Sequence, residues 1–190
     1  MQIVTTNVWK VPDGKPVCDD VRTLTFGADE TVRWIDFDIA IKASHGPVTF
    51  GDTKEGSFGV RVAESTKVEA KKGGKIVDNE GRVDGETWGK RAAWVDYHGP
   101  VGKDDVRQGI AILNHPVSFR HPTYWHVRTY GLFAANPFGV HDFEKKTDKV
   151  GEYTLPAGET LRFRYRVILH AGDEKQGKIA ERYAEYEKSK

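Results

Sequence analysis

The chain holds one cysteine, Cys18, in 190 residues, which excludes an intrachain disulfide. Cys18 falls on a predicted strand and reads as an inert thiol. No apolar run approaches the ~18 residues of a membrane-spanning helix, so no membrane span or membrane partner is expected. The opening MQIVTTNVWK lacks the apolar core of a signal peptide. The compartment, cytoplasmic or periplasmic, stays open. Charge of one sign is not in excess either, with 29 Lys+Arg against 28 Asp+Glu. Without a basic surplus no nucleic-acid partner is expected. The phosphate-loop pattern GxxxxGK[ST] and the GxSxG nucleophile elbow are both missing. So is any HxH or HxxxH spacing that would set two histidines on one face.

What is present is alternation with period two, the mark of half-buried strands. In Arg33–Ala43, Ile35, Phe37, Ile39 and Ile41 alternate with Asp36, Asp38 and Lys42. In Leu161–Leu169, Phe163, Tyr165 and Val167 alternate with three arginines. Phe58, Val60 and Val62 share a face, and the unbroken run Gly109–Leu113 predicts a strand buried on both faces. Turn chemistry punctuates these runs at Pro12–Lys15, Lys71–Lys75 and Pro156–Glu159. A further strand is expected over Trp125–Phe133, and Lys145–Lys149 reads as a solvated loop. One helix is predicted over about 173–187, capped by Asp173 with Gln176 and carrying an apolar stripe of Ile179, Ala180, Tyr183 and Ala184. The expectation is an all-β, mostly antiparallel sandwich with one carboxy-terminal helix, a single domain over residues 1–190. A domain this long buries roughly 70% of the surface its unfolded chain exposes.

Three segments could carry chemistry. The densest is Asn114–Gly139, with His115, His121 and His126, Arg120 and Arg128, six aromatic rings and three prolines. Groups that titrate near neutral pH beside flat apolar faces suit a polar, ring-shaped ligand. Histidines beside prolines also serve as well-bonded loop residues. His121 and His126, five apart, would face opposite sides of a continuous strand, so a metal site on His115, His121 and His126 needs a chain turn after Pro122. The second segment is Gly46–Val62, where four glycines surround Asp52, Lys54 and Glu55. A tight loop there can project Glu55 as base, metal ligand or hydroxyl acceptor, or be an ordinary charged hairpin tip. The third is Thr87–Gly99, in which Trp88 and Trp94 offer flat faces beside Lys90, Asp96 and His98. It fits a sugar ring and a tryptophan-rich core equally.

The blocks GPVTFGDTKEGSFGVRVA, ETWGKRAAWVDY, NHPVSFRHPTYWHVRTYGLFAANPFG and AGETLRFRYRVILHAGD resemble the PmoA-like proteins. This family is of uncharacterised function and is commonly labelled "methane oxygenase PmoA". Nothing in the blocks resembles a membrane methane monooxygenase, and no methane chemistry is inferred. Typical members carry an additional amino-terminal part with PHHR-type and HGDVNG-like blocks. Neither occurs here, so the chain looks like the carboxy-terminal two-thirds of a member. The resemblance implies a mutarotase-like or jelly-roll sandwich and an association with sugar catabolism. It implies pocket positions at Glu55, Lys90, His121, His126, Arg128 and Asn136.

The function expected on this basis is an enzyme acting on a saccharide or keto-glycoside by acid/base chemistry, of hydrolase, lyase or epimerase kind. His121 or His126 would be the general acid and Glu55 the base. Arg128 and Lys90 would stabilise developing negative charge. Trp88, Trp94, Tyr124 and Trp125 would hold the ring, and Asp96 and Asn136 would bind its polar groups. The alternatives are a non-catalytic carbohydrate-binding module, a divalent-metal-dependent sugar enzyme, and a structural fragment. An open strand edge would admit a homodimer, or a partner supplying the absent amino-terminal part.

Overall fold

A computed structural model of the protein describes residues 1–148 and 150–189. Lys149, the last residue of the predicted Lys145–Lys149 loop, lies outside them. The larger of its sheets has seven antiparallel strands. β1 (Gln2–Lys10) forms one edge and pairs with β2 (Pro16–Ala28), which pairs with β3 (Val32–Lys42). A three-stranded sheet contains β5 (Phe58–Arg61), β9 (Tyr124–Val127) and β10 (Leu132–Asn136), while β4 (Val48–Phe50) pairs with β11 (Tyr153–Leu155). The seven-stranded sheet continues from β3 through β12 (Thr160–Ala171), β8 (Val106–Asn114) and β7 (Trp94–Val101) to β6 (Lys75–Asp78) at the other edge. Every pairing is antiparallel. No helix among the described residues is long and apolar enough to cross a membrane.

The alternating runs explain the layers. Residues Ile39 and Ile41 of β3, and Phe163, Tyr165 and Val167 of β12, point at the small sheets and meet Trp125, Phe133 and Leu155 in one core. The opposite face of β3 and β12 carries a charge ladder. Arg166 forms a two-pronged pair with Asp36 (2.6 and 2.8 Å), and Arg162 does so with Asp38 (3.0 and 2.7 Å). The Gly109–Leu113 run is buried on both faces as its pattern predicts: Ile112 joins the main core, while Ala111 and Leu113 join a second cluster under the carboxy-terminal helix. The predicted turn at Pro12–Lys15 closes the β1–β2 hairpin, with Val11 N–H donating to the Lys15 carbonyl at 3.0 Å.

Two expectations are corrected. The predicted strand Trp125–Phe133 is a hairpin: β9 ends at Val127 and β10 begins at Leu132. Arg128 N–H donates to the Leu132 carbonyl at 2.8 Å, and Gly131 turns at φ 97°. Only glycine takes that backbone without strain. The predicted helix from residue 173 begins instead at Ile179, as α2 (Ile179–Tyr186), after the short α1 (Val140–Phe143). The reciprocal Asp173–Gln176 bonds do form, but Lys178 sits at φ 51° and interrupts the helix. With only two turns left, the packed stripe is Ile179, Tyr183 and Tyr186, and Ala180 and Ala184 face solvent.

Candidate functional site

The three histidines of the Asn114–Gly139 segment go to three different partners. His115 is buried. Its Nδ1 accepts from Val117 N–H at 3.2 Å and its Nε2–H donates to the Ser189 carbonyl at 3.0 Å, an assignment that requires the neutral ring. Burial, and then the nearby Arg164, push its pKa down. His121 Nε2 lies 3.1 Å from the Tyr183 hydroxyl, and burial, His115 and Arg91 likewise lower its pKa. Both rings therefore anchor the carboxy-terminal segment. His126 points the other way: its Nδ1 bonds the Lys54 carbonyl on the outer side of the three-stranded sheet. The structure does not gather His115, His121 and His126 as metal ligands, because no turn after Pro122 brings His126 back to the other two.

Around His126 part of the expected constellation does assemble. Trp88 meets its ring edge-on at 6.3 Å, and the Arg128 guanidinium lies over Trp88 at 5.4 Å. Phe143 closes against both rings. Among the described residues, Trp88 Nε1–H is buried with no partner. Glu55, next to Lys54, and Lys90, at the foot of β9, are exposed on bordering loops. Tyr124 is committed elsewhere on this face. It bonds Glu144 beneath the Arg91 guanidinium, and burial and then that carboxylate push its pKa up to about 12. Asn136 bonds to the backbone: Nδ2 donates to the Thr53 carbonyl at 2.7 Å and Oδ1 accepts from Phe138 N–H at 3.0 Å, fixing the 51–57 loop. Two of the expected ring-holding residues are core. Trp125 is fully buried, with Nε1–H on the Ala92 carbonyl at 2.9 Å. Trp94 packs under α2 with Ile179 and Tyr186. A tryptophan on a strand shows the same pattern whether its face is core or pocket, so spacing could not separate these roles.

An apolar cleft lies elsewhere. It opens between the β1–β3 part of the large sheet and the facing small sheets, with a volume of about 360 Å³, inside the range of small-molecule sites. Its wall is a run of stacked rings: Phe37 on Phe58 at 4.8 Å, inclined by 30°, and Phe58 on Tyr165 at 4.7 Å, nearly parallel. At the mouth, Trp9 and Arg22 converge on the buried Asp20. Arg22 donates to both carboxylate oxygens at 2.9 Å, Asn7 donates at 2.8 Å, and Trp9 Nε1–H adds a further bond. Burial alone would raise the Asp20 carboxyl, but these donors outweigh it and hold its pKa low. At the floor the Tyr165 hydroxyl is wholly buried and makes no hydrogen bond among the described residues. The hydroxyls of Ser57 and Thr123, which donate to the Ala135 and Tyr124 carbonyls, are near enough to influence its ionisation, and their oxygens keep acceptor capacity, but neither stands in hydrogen-bond geometry to it. Sequence reading missed this cleft. Its one visible signal was Asp20 and Arg22, two apart on a strand and hence on one face.

Asp96, expected to bind ligand, is instead fully buried on the far side of the large sheet. One oxygen lies 2.6 Å from His98 Nδ1 and the other 2.6 Å from His170 Nε2. Glu174 Oε2 stands 3.7 Å from His98 Nδ1. Asp96, His98 and Glu174 each offer a donor atom within 4.8 Å of the others, and among the described residues this is the group so arranged for a metal ion. Asp-x-His on a strand was the available signal. Cys18 is buried, with its thiol pKa raised by burial and by Asp19 and Asp20, as an inert thiol requires.

The chain belongs to a family of unknown function, DUF6807, which it matches over residues 1–184. No curated protein matches the chain, and no solved structure does.

Proposed function

We propose that this protein takes up a small polar ring, a saccharide or keto-sugar derivative, in the cleft between the sheets. The observation that carries the reading is the pairing of a stacked aromatic wall with the unpartnered Tyr165 hydroxyl at the floor. An apolar C–H face of a sugar packs on Phe37, Phe58 and Tyr165, and its hydroxyls meet Tyr165, Ser57 and the Arg22–Asp20 pair. Leaving a buried hydroxyl unbonded costs about 1–3 kcal/mol, and a ligand oxygen would remove that cost. The cleft offers no pair of free acid and base, so binding is favoured over turnover at this place. The test is a titration with a panel of mono- and oligosaccharides, read by calorimetry and by tryptophan fluorescence compared with a Trp9→Phe variant. Saturable binding that weakens about tenfold or more in Tyr165→Phe is expected. A panel that leaves wild type unperturbed would end the proposal.

A second reading keeps the acid/base enzyme, with His126 as acid and Glu55 as base beside Trp88, Arg128 and Lys90. The buried, unpartnered Trp88 Nε1–H favours it, because a ligand acceptor could complete that donor. Glu55→Gln that leaves turnover of every saccharide intact would sink the assignment. The likeness to the PmoA-like proteins supports a sugar ligand in either reading. For a partner, we propose a second copy of this chain at the β1 edge. β1 pairs with β2 alone and exposes Ile3, Val4 and Val8.

A further inference from the structure

The buried cluster over Gly109 is laid out for a cation. His98 and His170 sit on β7 and β12, the two neighbours of β8, and both are paired in register with Gly109. A Cβ at Gly109 would come within 2.2 Å of the His170 ring, so the missing side chain makes the space in which the two rings meet. Asp96, two residues before His98, reaches into that space from the same face. Glu174 closes it from above on the 172–178 turn. His170 has its Nδ1 3.1 Å from the Ala171 carbonyl and its Nε2 2.6 Å from Asp96. Both partners only accept, so both nitrogens are satisfied together only in the imidazolium. The His170 ring then faces the Asp96 carboxylate, and His98 Nδ1 stands between Asp96 and Glu174.

We propose that Asp96, His98 and Glu174 bind one divalent transition-metal ion of the zinc or manganese type, a site independent of the cleft. The ligands are His98 Nδ1, one Asp96 oxygen and one Glu174 oxygen, a mixed nitrogen and carboxylate set that suits these ions. Donors on a tetrahedral zinc are roughly 3.3 Å apart, from bonds of about 2.0–2.1 Å. The two separations from His98 Nδ1, 2.6 and 3.7 Å, bracket that value, and all three donor atoms lie within 4.8 Å of one another, so side-chain rotations bring them onto one ion. The neutral His98 ring carries its proton on Nε2 once the ion takes Nδ1, so the hydrogen bond to Asp96 is replaced by two bonds to the metal. His170 holds the second Asp96 oxygen and fixes the carboxylate plane, as outer partners of metal ligands do. Three protein ligands leave a position for water, and Glu174 is the solvent-facing member, with 17% of its side chain exposed. The ion would clamp the 172–178 turn, and α2 behind it, onto the sheet.

The test is zinc titration of chelator-stripped full chain against a chromophoric competitor, with metal content measured after desalting. Wild type is expected to take up one equivalent. His98→Gln and Glu174→Gln should each bind more than about tenfold more weakly. Glu174 lies on a surface turn, so its variant keeps the fold, checked by circular dichroism. His45→Gln, at an exposed histidine, should bind like wild type. Absence of stoichiometric uptake by wild type, or uptake unchanged in both ligand variants, overturns the site.

Discussion

His115 and His121 make the carboxy-terminal segment a reporter of pH. Each is held neutral in the fold, and each has its pKa lowered by burial first and by nearby positive charge or a second ring after that. An unfolded histidine titrates at about 6.5. As pH falls below that value the unfolded chain gains protons the folded chain refuses, so stability must fall with pH. Each histidine contributes at most about 1.4 kcal/mol per pH unit, hence at most about 2.8 kcal/mol per unit for the two. Against a typical stability of about 5–15 kcal/mol the loss is measurable. His170 has the opposite sign. Burial works against its charge, yet Asp96 raises its pKa on balance. Its contribution is complete below about 6.5 and is lost as pH rises through the raised value, so it adds nothing to the acid limb. Asp20 and Asp173, with lowered pKa values, lose their contributions only below the ordinary carboxylate range near 4. Urea unfolding between pH 6.5 and about 5.5, below the range in which His170 contributes a slope, therefore reports on these two histidines. His121→Gln keeps an amide to bond the Tyr183 hydroxyl and removes one titration, so it should shed about half the slope. Flat wild-type stability across this window, or an unchanged slope in His121→Gln, would refute the assignment.

Three further predictions rest on packing. Tyr186 is 1% exposed, lies 4.6 Å over the Arg166 guanidinium and meets His115 edge-on at 5.0 Å; Tyr186→Ala should cost about 3–5 kcal/mol in urea unfolding. Gly109→Ala must push the His170 ring off Asp96, so a loss of about 1–3 kcal/mol is expected, with loss of any bound zinc. Sedimentation should show self-association that Val4→Lys on the β1 edge abolishes, and a concentration-independent monomer would remove the second-copy proposal.

The fold was legible because its signals are local. Period-two runs at β3 and β12, the turn at Pro12–Lys15 and the doubly buried Gly109–Leu113 run each report on their own surroundings. Where a single residue decides, pattern reading failed: Gly131 splits one predicted strand into two, and Lys178 shortens the helix. The site was legible only in part. Dense titratable and aromatic residues marked Asn114–Gly139, but His115 and His121 spend their nitrogens on Ser189 and Tyr183, partners more than sixty residues away. Asp96 meets His170 across 74 residues, and the cleft joins Trp9 to Tyr165. Only the strand order β1-β2-β3-β12-β8-β7-β6 brings these together, and no spacing rule encodes it.

The central claim is that the cleft holds a sugar through Tyr165. Tyr165→Phe tests it most directly, by setting stability against affinity in one variant. Removing a buried hydroxyl that has no partner should leave urea stability unchanged or raise it, by up to about 1–3 kcal/mol. The same change should weaken saturation-transfer NMR signals from whichever saccharide binds wild type. A variant that loses stability, or that binds the same saccharide as tightly as wild type, would contradict the account.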